Sequence, residues 1–156
     1  MKRRIFLGYG AGVLSLPGAK GGPNDRPALG AVGVGGKGWA DSLGASKHGE
    51  IVAFCDVDEL GKDRKGGFVE AAKKWPKAKR YTDWREMLEK ENLDGVTVST
   101  PDHMHAPVTM TALKLGISPY TQKPLTRTVH EARALTLAAR EAQVATQMGN
   151  QNHSGV

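Results

Sequence analysis

A few short stretches of this chain hold most of the residues whose type and spacing could do chemistry. The first is Ala28 to Gly38, ALGAVGVGGKG, in which an apolar run meets a cluster of glycines. Gly33, Gly35 and Gly38 stand at G-x-G-x-x-G spacing, with Gly36 between them. That spacing suits a strand that turns sharply into a helix. The first glycine permits the turn, the second lets backbone approach a pyrophosphate, and the third lets helix and strand pack closely. The free N–H groups and positive dipole end of the helix would then face the phosphates. The second stretch ends at Asp56, roughly 20 residues beyond the glycines, where a carboxylate reaches the adenosine ribose hydroxyls of a bound dinucleotide. Its bland alternative is a helix cap or loop acid. The third is Ser99-Thr100-Pro101-Asp102-His103-Met104-His105, the fourth Gln122-Lys123-Pro124, and the fifth Gln147-Met148-Gly149-Asn150-Gln151.

The elements that must position these stretches follow from hydrophobic patterning. Ala28–Val34 reads as a first strand, and Gly36 to about Lys47 as the first helix. Glu50–Asp56 carries Ile51-Val52-Ala53-Phe54-Cys55, the continuous apolar pattern of a strand buried on both faces. Leu60 to Trp75 alternates helix formers with charges but is interrupted by Gly61, Gly66 and Gly67, which predicts a frayed or broken helix. Tyr81 to Glu91 is a clearer helix, with Thr82 as its N-cap. Leu93–Thr100 is a strand ended by Pro101, and His105–Leu115 a helix closed by Gly116. Ile117–Thr121 is a short strand in which Pro119 is awkward. Thr128–Ala142 opens on a capping box, Thr128-Val129-His130-Glu131. Val144–Met148 is a last strand. Strands alternating with helices predict an α/β fold with a doubly wound parallel sheet, and the chemical stretches fall at the carboxyl ends of its strands, where open α/β sheets bind ligands.

Taken together, Thr100-Pro101-Asp102-His103-Met104-His105 and Lys123-Pro124-Leu125-Thr126 resemble the Gfo/Idh/MocA oxidoreductase family, over residues 28–151. The resemblance implies a Rossmann domain that binds NAD or NADP and substrates that are mostly sugars and polyols. It implies cofactor contacts from Gly33, Gly35, Gly36, Gly38, Asp56, Thr100, Pro101, His103, Gln122 and Lys123. Lys123 matches the family lysine near nicotinamide and substrate, whose bond to the next proline is often cis. There it could hold a substrate hydroxyl and stabilise developing alkoxide charge. Gln122 stands where the family usually has Glu. His105 matches a frequent family histidine, and either contacts cofactor or substrate or only caps its helix. Asp102, His103 and His105 have metal-ligand chemistry, but their spacing fits the dehydrogenase loop, and no metal is expected. Asp56 has no neighbouring Arg, so a 2′-phosphate is unwelcome and NAD is favoured over NADP. Family members continue into a second domain that binds substrate and forms the oligomer interface. The reading therefore divides the chain into a leader (1–27), a Rossmann domain (28–151) and a truncated tail (152–156). It expects little activity from this part alone and a homo-oligomer at full length. An NAD-dependent glycosidase that oxidises its sugar transiently, or a non-catalytic nucleotide-binding module, stands as the alternative.

Charge and composition exclude other classes. The net charge is +6, but Lys2, Arg3, Arg4, Lys20 and Arg26 against Asp25 put most of the excess in the first 27 residues. Beyond them, acids and bases interleave as on solvated helix faces, which speaks against nucleic-acid binding. The lone cysteine, Cys55, lies in an apolar run and reads as a small buried hydrophobe. Arg3-Arg4-Ile5-Phe6-Leu7 resembles the twin-arginine export motif. The uncharged run to Ala19 that follows is shorter than the roughly 20 residues needed to span a bilayer. Export to the periplasm is expected, with a basic tail on a cytoplasmic protein as the alternative.

Overall fold

The computed structural model describes residues 26–60 and 65–150. Leader residues 1–25 with the export motif, Gln151 and the tail lie outside them, as do residues 61–64 within the expected broken helix. In chain order the elements are β1 (Ala28–Val32), α1 (Lys37–Ser46), β2 (Glu50–Cys55), α2 (Phe68–Lys74), β3 (Lys79–Tyr81) and α3 (Trp84–Lys90). They continue with β4 (Gly95–Val98), α4 (Asp102–Lys114), β5 (Ser118–Gln122), α5 (Val129–Ala142) and β6 (Gln147–Gly149). All the strand pairings are parallel, in the order β3-β2-β1-β4-β5-β6. This is the doubly wound fold expected from the sequence, with its switch point between β1 and β4.

Side-chain alternation along the strands sends one set of residues to each face. Ala31 and Phe54 join Ala71 and Ala78 under Trp39, Phe68 and Trp75, so α1 and α2 cover that face. Val32, Ala53, Cys55, Val96 and Val98 pack against Trp84, Met87 and Leu88 of α3 and Val108 and Ala112 of α4 on the other. Ala106 and Leu113 of α4 meet Leu135 of α5 in a third cluster. Cys55 is buried, as its apolar run implied, and burial pushes its thiol up to about 12, with Asp56 and Asp83 adding to the shift. No helix among the described residues is long and apolar enough to cross a membrane.

The last strand, expected at Val144–Met148, is Gln147–Gly149, and the helix expected within Leu60–Trp75 is Phe68–Lys74. Four further differences have identifiable reasons. β1 stops at Val32 because Gly33 turns away at φ +80° while its N–H still donates to Cys55 O at 2.8 Å. Lys79–Tyr81, read as loop and helix start, is an edge strand beside Ala53–Cys55. The helix after it is capped by Asp83, whose side chain accepts from Arg85 N at 2.8 Å, and not by Thr82. α4 begins at Asp102, three residues earlier than patterning suggested, because Pro101 holds the extended geometry of an N-cap residue. Pro119 sits in β5 without loss. Ser118 N donates toward β4, through Asp94 O, so the next nitrogen faces the other side, where β6 pairs only from Tyr120 onward. The capping box of α5 forms as expected: Glu131 N donates to Thr128 Oγ1, and Thr128 N donates to Glu131 Oε2.

Candidate functional site at the sheet switch point

The glycine turn is built by close packing. A Cβ on Gly33 would lie 2.5 Å from Ser99 O, and one on Gly38 would lie 2.0 Å from Gly33 O. Both glycines are therefore required by backbone-to-backbone contact between β1, α1 and the end of β4. Gly36 is different, since a Cβ there would meet nothing within 4 Å. It is the N-cap of α1, supplies no capping side chain, and is followed by no acid in the first helical turn. A helix end normally recruits a Ser, Thr, Asp or Asn to accept its free N–H groups. Here Gly38 N turns back to Gly35 O at 3.0 Å, and no side chain caps the donors beside it, which are open to an anion from elsewhere. Gly35 pairs with Gly66 in an antiparallel bridge, and Gly36 N donates to Lys65 O at 2.9 Å, so the segment before α2 runs along one side of the turn.

Asp56 stands where the sequence put it, at the end of β2, and its carboxylate has a backbone task. One oxygen accepts from Val34 N at 2.9 Å and the other from Asp58 N at 3.0 Å. It thus ties the glycine turn to β2. Each oxygen keeps a second lone pair for a further donor.

A cleft of about 190 Å³ opens beyond the ends of β4 and β5, lined by Lys37, Ser99, Thr100, Asp102, His105, Gln122 and Lys123. Of the cofactor-binding and catalytic residues that the resemblance implied, Thr100, His105, Gln122 and Lys123 come together in it. His103 is exposed on the first turn of α4, Pro101 is exposed at its N-cap, and Asp56 belongs to the other side of the glycine turn; none of these three lines the cleft. The Lys123–Pro124 bond is cis, as the resemblance implied. Gln122 is buried, and its Oε1 accepts from Lys123 N at 3.2 Å. Thr100 Oγ1 is buried and has no hydrogen-bond partner among the described residues. An orphaned hydroxyl beside a cleft is a group that a ligand would satisfy. His105 is 1% exposed, with Nδ1 2.6 Å from Pro124 O and Nε2 2.8 Å from Thr100 O. It bridges two loops; neither bond is a helix cap.

Lys37 and Asp41 escape sequence reasoning, as does the task of Ser99, because their partnership crosses elements. Lys37 Nζ is bonded to Asp41, which is buried, and Asp41 Oδ2 accepts from Ser99 Oγ at 2.8 Å. This chain fastens α1 to the end of β4, with the lysine left 43% exposed at the cleft. The signal available in sequence is a lysine between the glycines with an acid four residues on, one helical turn away.

With uncapped helix donors, close-packed glycines, a carboxylate at the end of β2 and an orphaned hydroxyl, the donor set fits a dinucleotide laid across the switch point. Among the described residues no group of three or more His, Cys, Asp or Glu side chains is placed to hold a metal ion.

Comparison with known proteins agrees with this geometry. Residues 29–150 match the family described as oxidoreductase family, NAD-binding Rossmann fold. A glycosyl hydrolase family 109 protein of Stenotrophomonas maltophilia is 30% identical over 130 residues, which is 76% of this chain and 28% of that protein. The fold superposes on myo-inositol 2-dehydrogenase from Lactobacillus plantarum with a TM-score of 0.72 at 19% identity, covering 80% of this chain and 36% of the other. It superposes on the WlbA dehydrogenase from Bordetella pertussis, in complex with NADH and UDP-GlcNAcA, with a TM-score of 0.71 at 20% identity, covering 84% and 39%. The chain thus spans between about a quarter and two fifths of the length of these proteins.

Proposed function

The chain belongs to the Gfo/Idh/MocA oxidoreductase family, and from that premise we propose that it holds NAD across the β1–β4 switch point for hydride transfer to or from a hydroxyl of a sugar or polyol. The observation that carries the reading is the uncapped N-terminus of α1 behind a turn in which Gly33 and Gly38 leave no room for a Cβ. The first-turn N–H groups of α1 would bind the pyrophosphate. The remaining lone pairs of Asp56 would accept the adenosine ribose hydroxyls and repel a 2′-phosphate, which supports NAD over NADP. Thr100 Oγ1 would bond the nicotinamide end. Bound nicotinamide supplies the hydride acceptor or donor. The Lys123 ammonium would donate to the reacting substrate oxygen and stabilise negative charge as it develops there. Because the relatives are much longer, the reaction is assigned to this domain working with substrate-binding elements beyond it, in an enzyme we expect to be a homo-oligomer.

Titration calorimetry of residues 24–156 with NADH, and separately with NADPH, tests the cofactor reading. Tight NADH binding with weaker NADPH binding is expected; a folded chain that binds neither refutes it. The match to a glycosyl hydrolase favours a second reading, in which the sugar is oxidised only transiently and the cofactor is regenerated. In the full-length enzyme, steady NADH accumulation marks a dehydrogenase, and release of free sugar without it marks the glycosidase. The Arg3-Arg4-Ile5-Phe6-Leu7 motif supports export to the periplasm by the twin-arginine route. Replacing both arginines by Lys in the full chain should retain it in the cytoplasm.

A further inference from the structure

Asp41 is an acid in an unfavourable place. It lies in the second turn of α1, four residues past the first helical residue, Lys37. That is about 6 Å along the axis from the donors offered to a pyrophosphate. Its side chain is 4% exposed, and a buried carboxylate so close to an anion site repels whatever anion binds there. Yet the carboxylate is needed: its Oδ2 accepts from Ser99 Oγ at 2.8 Å, the bond that fastens α1 to the end of β4. Lys37 resolves the conflict, because its Nζ is bonded to the other oxygen, Oδ1. The lysine is 43% exposed and lines the cleft, so its ammonium keeps water on the outer side and the pair avoids the full desolvation of a buried one. Among the described residues the charges at this space then balance, Asp41 and Asp102 against Lys37 and Lys123. Without Lys37, two acids would face one lysine where the diphosphate of a dinucleotide must lie.

We propose that Lys37 is the counter-ion of Asp41 and a positioning residue for the cofactor: it cancels a buried charge that α1 needs for its own anchorage, and so keeps the helix N-terminus attractive to a diphosphate. The proposal rests on the cofactor reading above. Lys37 acts through Asp41, so its worth depends on Asp41 being charged. That dependence separates it from two other tasks a lysine at the cleft could have. A lysine that bonded the diphosphate directly would be missed whether or not Asp41 carried a charge. A lysine that only held α1 in place would be missed equally at low and high salt, because salt screens a charge but does not restore a displaced helix.

Variants of the full 156-residue chain test this, with NADH as the probe in titration calorimetry and circular dichroism to show that each is folded. Lys37→Met leaves Asp41 uncompensated and should weaken NADH by about tenfold at about 20 mM salt. At about 500 mM salt, where the screening length is about 4 Å, that loss should shrink to about threefold. Asp41→Asn removes the charge and keeps an acceptor for Ser99 Oγ. Added to Lys37→Met, it should return NADH affinity to within about threefold of the unaltered chain. Asp41→Asn alone should bind NADH at least as tightly as the unaltered chain. A double variant as weak as Lys37→Met overturns the proposal and assigns the lysine to direct contact. Unchanged binding by Lys37→Met overturns it, and so does a loss that salt leaves unaltered or an Asp41→Asn chain that binds more weakly. The double variant and Asp41→Asn leave no buried carboxylate unpaired at position 41, so they decide the question even if Lys37→Met unfolds. If the unaltered, folded chain binds no NADH, the cofactor reading fails and this proposal with it. If it binds NADH and the double variant is not rescued, compensation alone fails.

Discussion

Two glycines six residues apart on the same helix should respond to the same substitution with opposite signs. A Cβ at Gly38 would lie 2.0 Å from Gly33 O, 2.8 Å from Gly33 C and 3.1 Å from the Ser99 Cβ. Carbon–oxygen contacts do not close below about 3 Å, so the start of α1 and the Gly33 peptide must part by about 1 Å in a close-packed interior. Neither side yields easily. Gly33 N is held by Cys55 O at 2.8 Å, and Gly38 O accepts from Ser42 Oγ at 2.7 Å. Overpacking of this kind costs about 1–3 kcal/mol. Gly44 sits in the interior of the same helix at an ordinary φ, and a Cβ there meets nothing within 4 Å. Alanine at that position gains about 0.5–1 kcal/mol of helix propensity. For a chain of this size each kcal/mol moves the midpoint by about 2–4 °C. Gly38→Ala should therefore lower Tm by roughly 2–12 °C and Gly44→Ala should raise it by about 1–4 °C, read by circular dichroism at 222 nm. Gly38→Ala should also weaken NADH binding by more than its loss of stability explains, because the helix end is what moves. A Gly38→Ala protein as stable as the parent would refute the claim that this turn is dictated by backbone contact. A destabilised Gly44→Ala would refute the reasoning that separates the two positions.

Asp56→Asn replaces an acceptor by a donor between two backbone N–H groups, Val34 N and Asp58 N, so one of them loses its partner. It should cost about 1–2 kcal/mol in urea unfolding and weaken NADH by at least about tenfold; unchanged binding would remove Asp56 from the cofactor site. At the far edge of the sheet, Glu91 accepts from Lys79 and from the Tyr81 hydroxyl. Burial pushes the Glu91 carboxyl up, but the Tyr81 and Lys79 bonds outweigh it and hold it below its ordinary value, while the Glu91 bond, with burial second, pushes Tyr81 up to about 12. The Glu91 contribution to stability is then present above its unfolded range and lost as pH falls through the lowered value. The Tyr81 contribution is present below pH 10 and lost as pH rises through 12. Tyr81→Phe should remove up to about 1 kcal/mol at neutral pH and flatten both ends of the stability profile; a parallel profile would show that the pair does not matter.

What could be read from the sequence depended on how local its cause is. The glycine spacing, Asp56 at the end of β2 and the Thr128–Glu131 capping box are each decided within a few residues, and each stands in the structure. Lys79–Tyr81 was hidden because only its pairing with Ala53–Cys55 makes a strand of three residues whose own pattern is polar. Thr82 and Asp83 are both good N-caps, and the extended backbone at Asp83, which lies just past that strand, decides between them. Lys37, Asp41 and Ser99 lie on two elements brought together by a crossover, so no window of sequence contains their hydrogen bonds. The resemblance located His105 but left its task open between ligand contact and capping. Its bond to Pro124 O was out of reach of local sequence, because β5 sets where that carbonyl lies.

Three side chains acting across elements share one logic. Asp56 joins the end of β2 to the turn after β1, Asp41 joins α1 to Ser99 after β4, and His105 joins Thr100 to Pro124 after β5. In strand order these links run β2 to β1, β1 to β4 and β4 to β5, one across each of the three central pairs at the carboxyl edge. Strand hydrogen bonds end there, and without such links each loop would be free to move separately. A lone pair or N–H used in such a link is closed to a ligand. What remains for a ligand is the set that no link consumes: the first-turn donors of α1, the second lone pairs of Asp56, Thr100 Oγ1 and the Lys123 ammonium. That set runs in a line from β2 to β5, which is the shape of a dinucleotide with its substrate at one end.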